Sequence, residues 1–287
     1  MRKLLTLLLS LSISCATALA QQIVEPKNAP SEWAKPYPPF RIAGNLYYVG
    51  TYDLACYLVT TSQGNILINT GLAASGPLIK ENIEALGFKF SDLKLLLTTQ
   101  AHYDHVGAMA QVKKLTGAQL IVNEKEAPVL EDGGQSDYAL GGLNPTFKSL
   151  RADRLLQDRD SIQLGDTRMT MLHHPGHTKG SCSFLFQVKD QQRSYRILIA
   201  NMPTIVTEKA FSDIFEYPRI EKDYAYTLNA MKDLSFDIWL ASHASQFGLH
   251  SKHKPGQSYN PSAFVDRKGY DTAITALQKE FLTKVKN

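Results

Sequence analysis

The chain has 287 residues, 44% of them hydrophobic, and carries 31 Lys and Arg against 27 Asp and Glu, a formal net charge of +4. That is enough apolar material to bury a sizeable core and too much for an intrinsically disordered chain. The near balance of charge, with no dense basic stripe carrying interleaved aromatics, excludes a nucleic-acid partner.

From the amino terminus, MRKLLTLLLSLSISCATALA combines Arg2 and Lys3, an apolar run from Leu4 to about Ile13 and the small-x-small ending Ala18-Leu19-Ala20. This is the pattern of a secretory signal peptide over residues 1–20, which implies export to the periplasm. The run falls short of the roughly 20 apolar residues of a spanning helix, so no stable membrane anchor is expected after cleavage. Cys15 lacks the preceding leucine of lipoprotein processing. Cleavage removes two cations and no anion, which lowers the formal charge from +4 to +2. Cys56 and Cys182 remain, in no metal-type spacing; an exported chain can bridge them, and buried free thiols fit as well.

The mature chain begins with short β-rich runs, GNLYYVG, CYLVTT and NILINTG, separated by turns. SGPLIKENIEALGF then predicts a helix with Ser75 as cap, Pro77 in the first turn, Ile79, Ile83 and Leu86 on one face and Gly87 as the stop. KLLLTT, 94–99, is a continuous apolar run fit for a strand buried on both faces, and it leads straight into QAHYDH, 100–105. GAMAQVKKLTG predicts a helix ending at Gly117, and AQLIVNE a strand. The polar, glycine-bearing stretch from Glu131 to Arg154 has weak periodicity and reads as a mobile flap over a site.

SIQLGDTRMTML predicts a hairpin, SCSFLFQV and YRILIAN two more strands, and FDIWLAS a last buried one. HSKHK, 250–254, reads as a solvated loop with His250 and His253 on the surface. Ile274, Leu277, Phe281 and Val285 form one apolar stripe on a carboxy-terminal helix. With no linker or compositional break, residues 21–287 are expected to form one domain of about a dozen strands in two halves, with helices packed outside. No exposed apolar stripe other than that helix stands out, so a monomer is expected.

Three polar clusters each follow a predicted buried strand: QAHYDH after KLLLTT, HHPGHTKGS after TRMTML, and SHASQ after FDIWLA. Strands fix the roots of such loops and leave their tips free to converge. H-x-D-H supplies imidazole nitrogens and one anionic oxygen, a donor set suited to zinc and other borderline divalent metals. In an extended turn His102 and Asp104 point to one side while His105 turns toward a second point, so one loop can serve two ions. No G-x-S-x-G elbow is present for serine chemistry.

With EWAKPYPPFRIAGNLYYVGTYDLA, TQAHYDH, LLHHPGHTKGSCSF, IANMP and FDIWLASHASQF, essentially the whole mature chain resembles the subclass B3 metallo-β-lactamases of the GOB type, whose motif carries Gln at the first position of H-x-H-x-D-H. The resemblance implies the metallo-β-lactamase fold, an αββα sandwich of two mixed β-sheets with helices on the outer faces. It implies a zinc-dependent β-lactamase in which a metal-activated water opens the amide bond of penicillins, cephalosporins and carbapenems, conferring antibiotic resistance. One metal site is implied from Gln100, His102 and His177 and a second from Asp104, His105 and His243, with Asp104 also catalytic. One or two Zn2+ ions are expected, the Asp104 site being the stronger because an amide oxygen is a weaker donor than imidazole.

Asn69 stands where many relatives of this fold have an aspartate that braces a ligand histidine, and Met202 where other members of the subclass often place a serine. Lys179, Ser181 and Thr204 are the candidate contacts to a substrate carboxylate. His173 and His174 are expected to be non-ligands, one of them packing beneath the site, and Cys182 a small core residue. Tyr47, Tyr48 and Trp239 are expected in the core. Two alternative functions remain: a metallo-hydrolase of the same fold acting on a lactone, thioester or phosphodiester, and a non-catalytic exported metal-binding protein.

Overall fold

Apolar residues alternate their facing along the strands, and two packed sheets follow from that alternation. The structure is a computed structural model that describes residues 22–191 and 193–286; the signal pattern of residues 1–20 lies outside the described residues. The first sheet opens as an antiparallel meander of β1 (Phe40–Ala43), β2 (Leu46–Tyr48), β3 (Tyr57–Thr61) and β4 (Gly64–Ile68). It continues in parallel through β5 (Leu93–Leu97), β6 (Gln119–Asn123) and β7 (Arg154–Leu156). Parallel neighbours need crossovers. These are α1 (Gly76–Ala85) before β5, then α2 (Tyr103–Val106) and α3 (Met109–Thr116) before β6, then α4 (Ala127–Glu131) and a long loop before β7.

The second sheet runs in the order β12-β11-β10-β9-β8. Its members β8 (Ser161–Leu164), β9 (Thr167–His173), β10 (Cys182–Lys189) and β11 (Ser194–Ala200) are antiparallel neighbours, and β12 (Ile238–Ala241) joins β11 in parallel after the crossover helix α5 (Ile220–Lys232). The short α6 (Leu249–Lys252) and the long α7 (Arg267–Lys286) complete the described chain. Two mixed sheets with flanking helices are the expected sandwich.

Period-two alternation sorts each strand between two cores. Ile66, Ile68, Leu95 and Leu97 enter the layer shared with Phe184, Phe186, Ile197 and Ile199 of the second sheet. Leu67, Leu96 and Leu120 face the other way, onto Ile79 and Ile83 of α1 and Met109 and Val112 of α3. As expected, β5 is buried on both faces from Leu95 onward, and Gly117 closes α3 in a left-handed conformation at φ 70°. Ser75 sits at the predicted cap, although its hydroxyl accepts from the Leu72 N–H rather than from its own helix.

Several sequence expectations are corrected here. On α7, Ile274 and Phe281 are buried, Phe281 against Phe211 and against Tyr224 of α5, but Val285 is 41% exposed. HSKHK is not a solvated loop. His250 stacks on Tyr52 at 3.8 Å, His253 on Phe40 at 3.6 Å, and the Lys252 ammonium meets Asp266 at 2.8 Å. Tyr47 is only half-buried, whereas Tyr48 and Trp239 are core residues. Cys56 and Cys182 are both buried free thiols. Among the described residues, no helix is long and apolar enough to cross a membrane.

Candidate metal centre

The three polar clusters emerge at neighbouring strand ends because backbone and hydroxyl groups stitch those ends together. The Cys182 N–H, entering β10, donates to the Thr99 carbonyl beyond β5 at 2.8 Å. The Thr99 and Ser242 hydroxyls meet at 2.9 Å, which ties the exit of β5 to the exit of β12. Asn69 holds the same exit: at φ 63° it occupies the left-handed region that Asn tolerates, and its side-chain oxygen accepts from the Thr99 N–H at 3.0 Å. Asn69 thus braces the strand exit through Thr98 and Thr99 rather than a ligand histidine.

Beyond Thr99 the chain does not stay extended, as the spacing alone suggested. His102 is extended at φ −82° and ψ 152°, but its carbonyl accepts from the N–H groups of His105 and Val106, so Tyr103 to Val106 form one helical turn. Helical geometry separates successive side chains by about 100°, which turns Asp104 and His105 apart from each other and from His102. Gly107 lets this turn lie against the 71–73 bend, since a Cβ there would stand 2.4 Å from the Ala73 nitrogen.

Asp104, His105 and His243 lie together, each offering a donor atom within 4.8 Å of the others. Asp104 Oδ2 is 3.1 Å from His105 Nε2 and 3.3 Å from His243 Nε2. Burial alone would raise the Asp104 pKa; His105 and His243 beside it hold the carboxyl well below the usual range. His243 is pinned from behind by Asp53, whose Oδ2 lies 3.0 Å from Nδ1 and also accepts from Trp33 Nε1 at 3.2 Å. Burial pushes the His243 pKa down, but Asp104 and Asp53 on either side raise it to about 9.

His102 and His177 form a second group, with ring centroids 4.9 Å apart. His177 Nδ1 donates to the Thr204 carbonyl at 2.8 Å, which leaves Nε2 for an ion, and burial with His102 alongside lowers its pKa to about 3. His102 Nε2 lies 3.3 Å from Asp137 Oδ2, a carboxylate from the segment expected to be a flap, and this leaves Nδ1 for an ion. Burial disfavours a charged His102, yet Asp137 prevails and raises its pKa. Glu126 joins the loops: its carboxylate accepts from the Ala101 N–H at 2.5 Å, the Thr178 hydroxyl at 2.5 Å and the Gly180 N–H at 2.7 Å.

Whether this pocket fits a cation can be judged from its orphaned atoms. Buried polar atoms are nearly always hydrogen-bonded. Yet Gln100 Oε1 and His105 Nδ1 are buried with no hydrogen-bond partner among the described residues, and His105 Nε2 meets only the Asp104 carboxylate. A cluster of lone-pair donors beside an anionic carboxylate suits zinc, which accepts nitrogen and oxygen ligands alike.

The expected substrate contacts are placed otherwise. Ser181 is fully buried and its hydroxyl donates to the carbonyls of His174 and Thr178, so it has nothing to offer a substrate. Lys179 lies near the Tyr217 ring, 5.8 Å from its centroid, and lines a cleft of about 590 Å³ with Lys125, His173 and Arg219, whose lining contains none of the expected metal ligands. Thr204 serves His177, through its carbonyl and through its hydroxyl at 3.1 Å. Met202 is buried in the inter-sheet core. His173 and His174 bond to Asn123 and Ser183. Sequence reasoning missed Asp53, Glu126 and Asp137: each is a lone acid in a different loop, with no spacing to mark it.

The family model of the metallo-beta-lactamase superfamily matches residues 50–190. The class B3 di-zinc metallo-beta-lactamase LRA-12 from an Alaskan soil metagenome is 68% identical, with a TM-score of 0.91 over 92% of this chain and 100% of that one. The metallo-beta-lactamase GOB-18 from Elizabethkingia meningoseptica is 56% identical, with a TM-score of 0.92 over 93% of this chain and 99% of that one. More distantly, the chain is 26% identical over 248 residues to the human acyl-coenzyme A thioesterase MBLAC2, covering 77% of this chain and 84% of that protein. It spans 64% of the length of a probable metallo-hydrolase of Methanocaldococcus jannaschii, at 27% identity over 139 residues.

Proposed function

Because the chain belongs to the metallo-β-lactamase superfamily, and within it to subclass B3, we propose that it is a zinc-dependent β-lactamase. It opens the cyclic amide of penicillins, cephalosporins and carbapenems and so confers resistance to them. The observation that carries this reading is the buried cluster of Asp104, His105 and His243, each with a donor atom within 4.8 Å of the others and with Asp104 held anionic. One zinc would be held by Gln100, His102 and His177, the other by Asp104, His105 and His243.

Zinc, when bound, lowers the pKa of a coordinated water from about 15.7 to about 7 and stabilises charge on the departing ring nitrogen. Asp104, kept ionised by its histidine neighbours, accepts a hydrogen bond from the attacking water and turns its lone pair toward the carbonyl carbon. His105 and His177 are kept neutral by burial, so their lone pairs remain available for ligation. Asp53 fixes the ring of His243 with Nε2 facing Asp104. The uncharged Gln100 oxygen would make its own site the weaker, so that one ion at the Asp104 site would be enough for turnover. Counting metal alongside activity tests this point; an enzyme inactive until two ions bind rejects it.

Incubation with a penicillin, a cephalosporin and a carbapenem tests the activity, and hydrolysis of all three is expected. The similarity to an acyl-coenzyme A thioesterase favours one second reading, a thioester substrate. Cleavage of a thioester or lactone with none of the antibiotics hydrolysed would establish that reading in place of the first. The pattern of residues 1–20 supports export to the periplasm, where the protein acts as a monomer. Amino-terminal sequencing of periplasmic protein is expected to begin at Gln21.

A further inference from the structure

The stretch from Glu131 to Arg154 reaches both histidines of the Gln100 group. Asp137 presents Oδ2 to His102 Nε2 at 3.3 Å, while its Oδ1 accepts from the N–H groups of Ala139 at 2.9 Å and Leu140 at 2.7 Å. The carboxylate is therefore locked in its own turn before it meets the imidazole. Gly141 closes that turn, donating its N–H to the Asp137 carbonyl at 3.1 Å; a Cβ there would stand 2.2 Å from the same oxygen. The next residue along, Tyr138, sends its hydroxyl to the carbonyls of Gly176 at 3.2 Å and His177 at 3.1 Å. Its ring packs edge-on against Tyr217 at 5.2 Å.

The segment is itself tethered. Asp132 caps its start through the N–H groups of Gly134 and Ser136, Thr146 N–H returns to the Gly133 carbonyl, and the Pro145 carbonyl accepts from the Val24 N–H at 2.8 Å. Two adjacent residues of one anchored loop thus hold the imidazole of His102 and the peptide that carries His177. The Asp104 group has a carboxylate among its own donors, whereas Gln100, His102 and His177 are all neutral donors. Glu126, the other buried acid nearby, hydrogen-bonds backbone and hydroxyl groups and no ring. Asp137 is therefore the carboxylate set directly against a ring of the neutral group, where it fixes the imidazole and raises its donor strength.

We infer that Asp137 and Tyr138 are positioning residues for the Gln100 site, making up for its uncharged amide donor, so that uptake of the second zinc ion depends on this loop. The inference rests on the two-site reading above. Its test is zinc titration of the metal-free full-length mature protein, followed by cobalt(II) substitution with absorption spectra, in the wild type, Asp137→Asn and Tyr138→Phe. Asp137→Asn is expected to weaken the second binding step by about 10- to 100-fold, the usual cost of removing such a partner, and to leave the first step within about twofold. Tyr138→Phe is expected to weaken the second step a few-fold, in line with one lost hydrogen bond. The cobalt spectrum of the first-filled site is expected to be unchanged in both.

A second step unchanged in Asp137→Asn overturns the inference, as does equal weakening of both steps, which would mean general loosening. A wild-type protein that binds a single ion however much zinc is added overturns the two-site reading itself, and the inference with it. Should Asp137→Asn not fold, Tyr138→Phe, which keeps the carboxylate, decides between the same outcomes.

Discussion

His102 and His177 take their support from outside the two strand-end loops that carry them: Asp137 and Tyr138 from the long loop before β7, Glu126 from the start of α4, and the carbonyl of Thr204 after β11. Asp104, His105 and His243 draw mainly on one another, with Asp53 behind His243 and, among the described residues, no partner outside the group for either nitrogen of His105. A group that contains a carboxylate organises itself by attraction, since an anion and two imidazoles converge without help. A group of neutral donors has no such pull, and its geometry must be imposed by surrounding hydrogen bonds.

The largest effect expected is from metal removal: a chelator should abolish turnover of a carbapenem, and added zinc should restore it. Persistence of activity in a verified metal-free protein would break the comparison at its root. Next comes Asp104→Asn, which keeps the shape but removes the charge that organises its group; kcat/KM should fall by about 10³-fold, read from steady-state hydrolysis. Asp53→Asn should weaken the first zinc step by about 10- to 100-fold and spare the second, the mirror image of the effect on the other group. If it weakened only the second step, the assignment of braces to groups would be reversed.

Two smaller effects sharpen the contrast. Glu126→Gln must turn an amide NH2 toward a donor, either the Ala101 N–H or the Thr178 and Gly180 pair, which costs about 1–3 kcal/mol of stability in denaturant unfolding. Ser181→Ala should cost about 1 kcal/mol by the same measurement and leave KM for each antibiotic unchanged, because its hydroxyl is spent on backbone carbonyls. A raised KM with unchanged stability would return Ser181 to the role of substrate contact.

Much of this arrangement is legible in the residues themselves. Alternation in NILI and the continuous run KLLL mark β4 and β5, and the burial of Ile66 and Ile68 on one side with Leu67 on the other follows that pattern. The Gly117 stop and the hairpin at Gly165 and Asp166 are local turn chemistry. The polar clusters after buried strands marked Asp104, His105 and His243, which the fold gathers, and His102 and His177, which it sets side by side. Periodicity could not mark β1 or β7, of four and three residues, because so few positions carry no pattern. It also misplaced His250 and His253, whose polar neighbours suggest water although the rings stack on Tyr52 and Phe40.

What the sequence by itself determined is what covalent spacing can encode: which runs become strands, where the turns fall, and which clusters of histidine and aspartate share a loop. Only the tertiary structure decided which nitrogen of each imidazole is left for an ion, because the choice depends on Asp53 for His243, Asp137 for His102 and the Thr204 carbonyl for His177. Asp53 and His243 are 190 positions apart in the chain, and no period links them. Their meeting is fixed by backbone hydrogen bonds between two loops, the Ala55 N–H to the Ser242 carbonyl at 3.0 Å and the Ala244 N–H to the Asp53 carbonyl at 2.6 Å, which can form only once the burial of apolar side chains, a force with no direction of its own, has closed the sandwich.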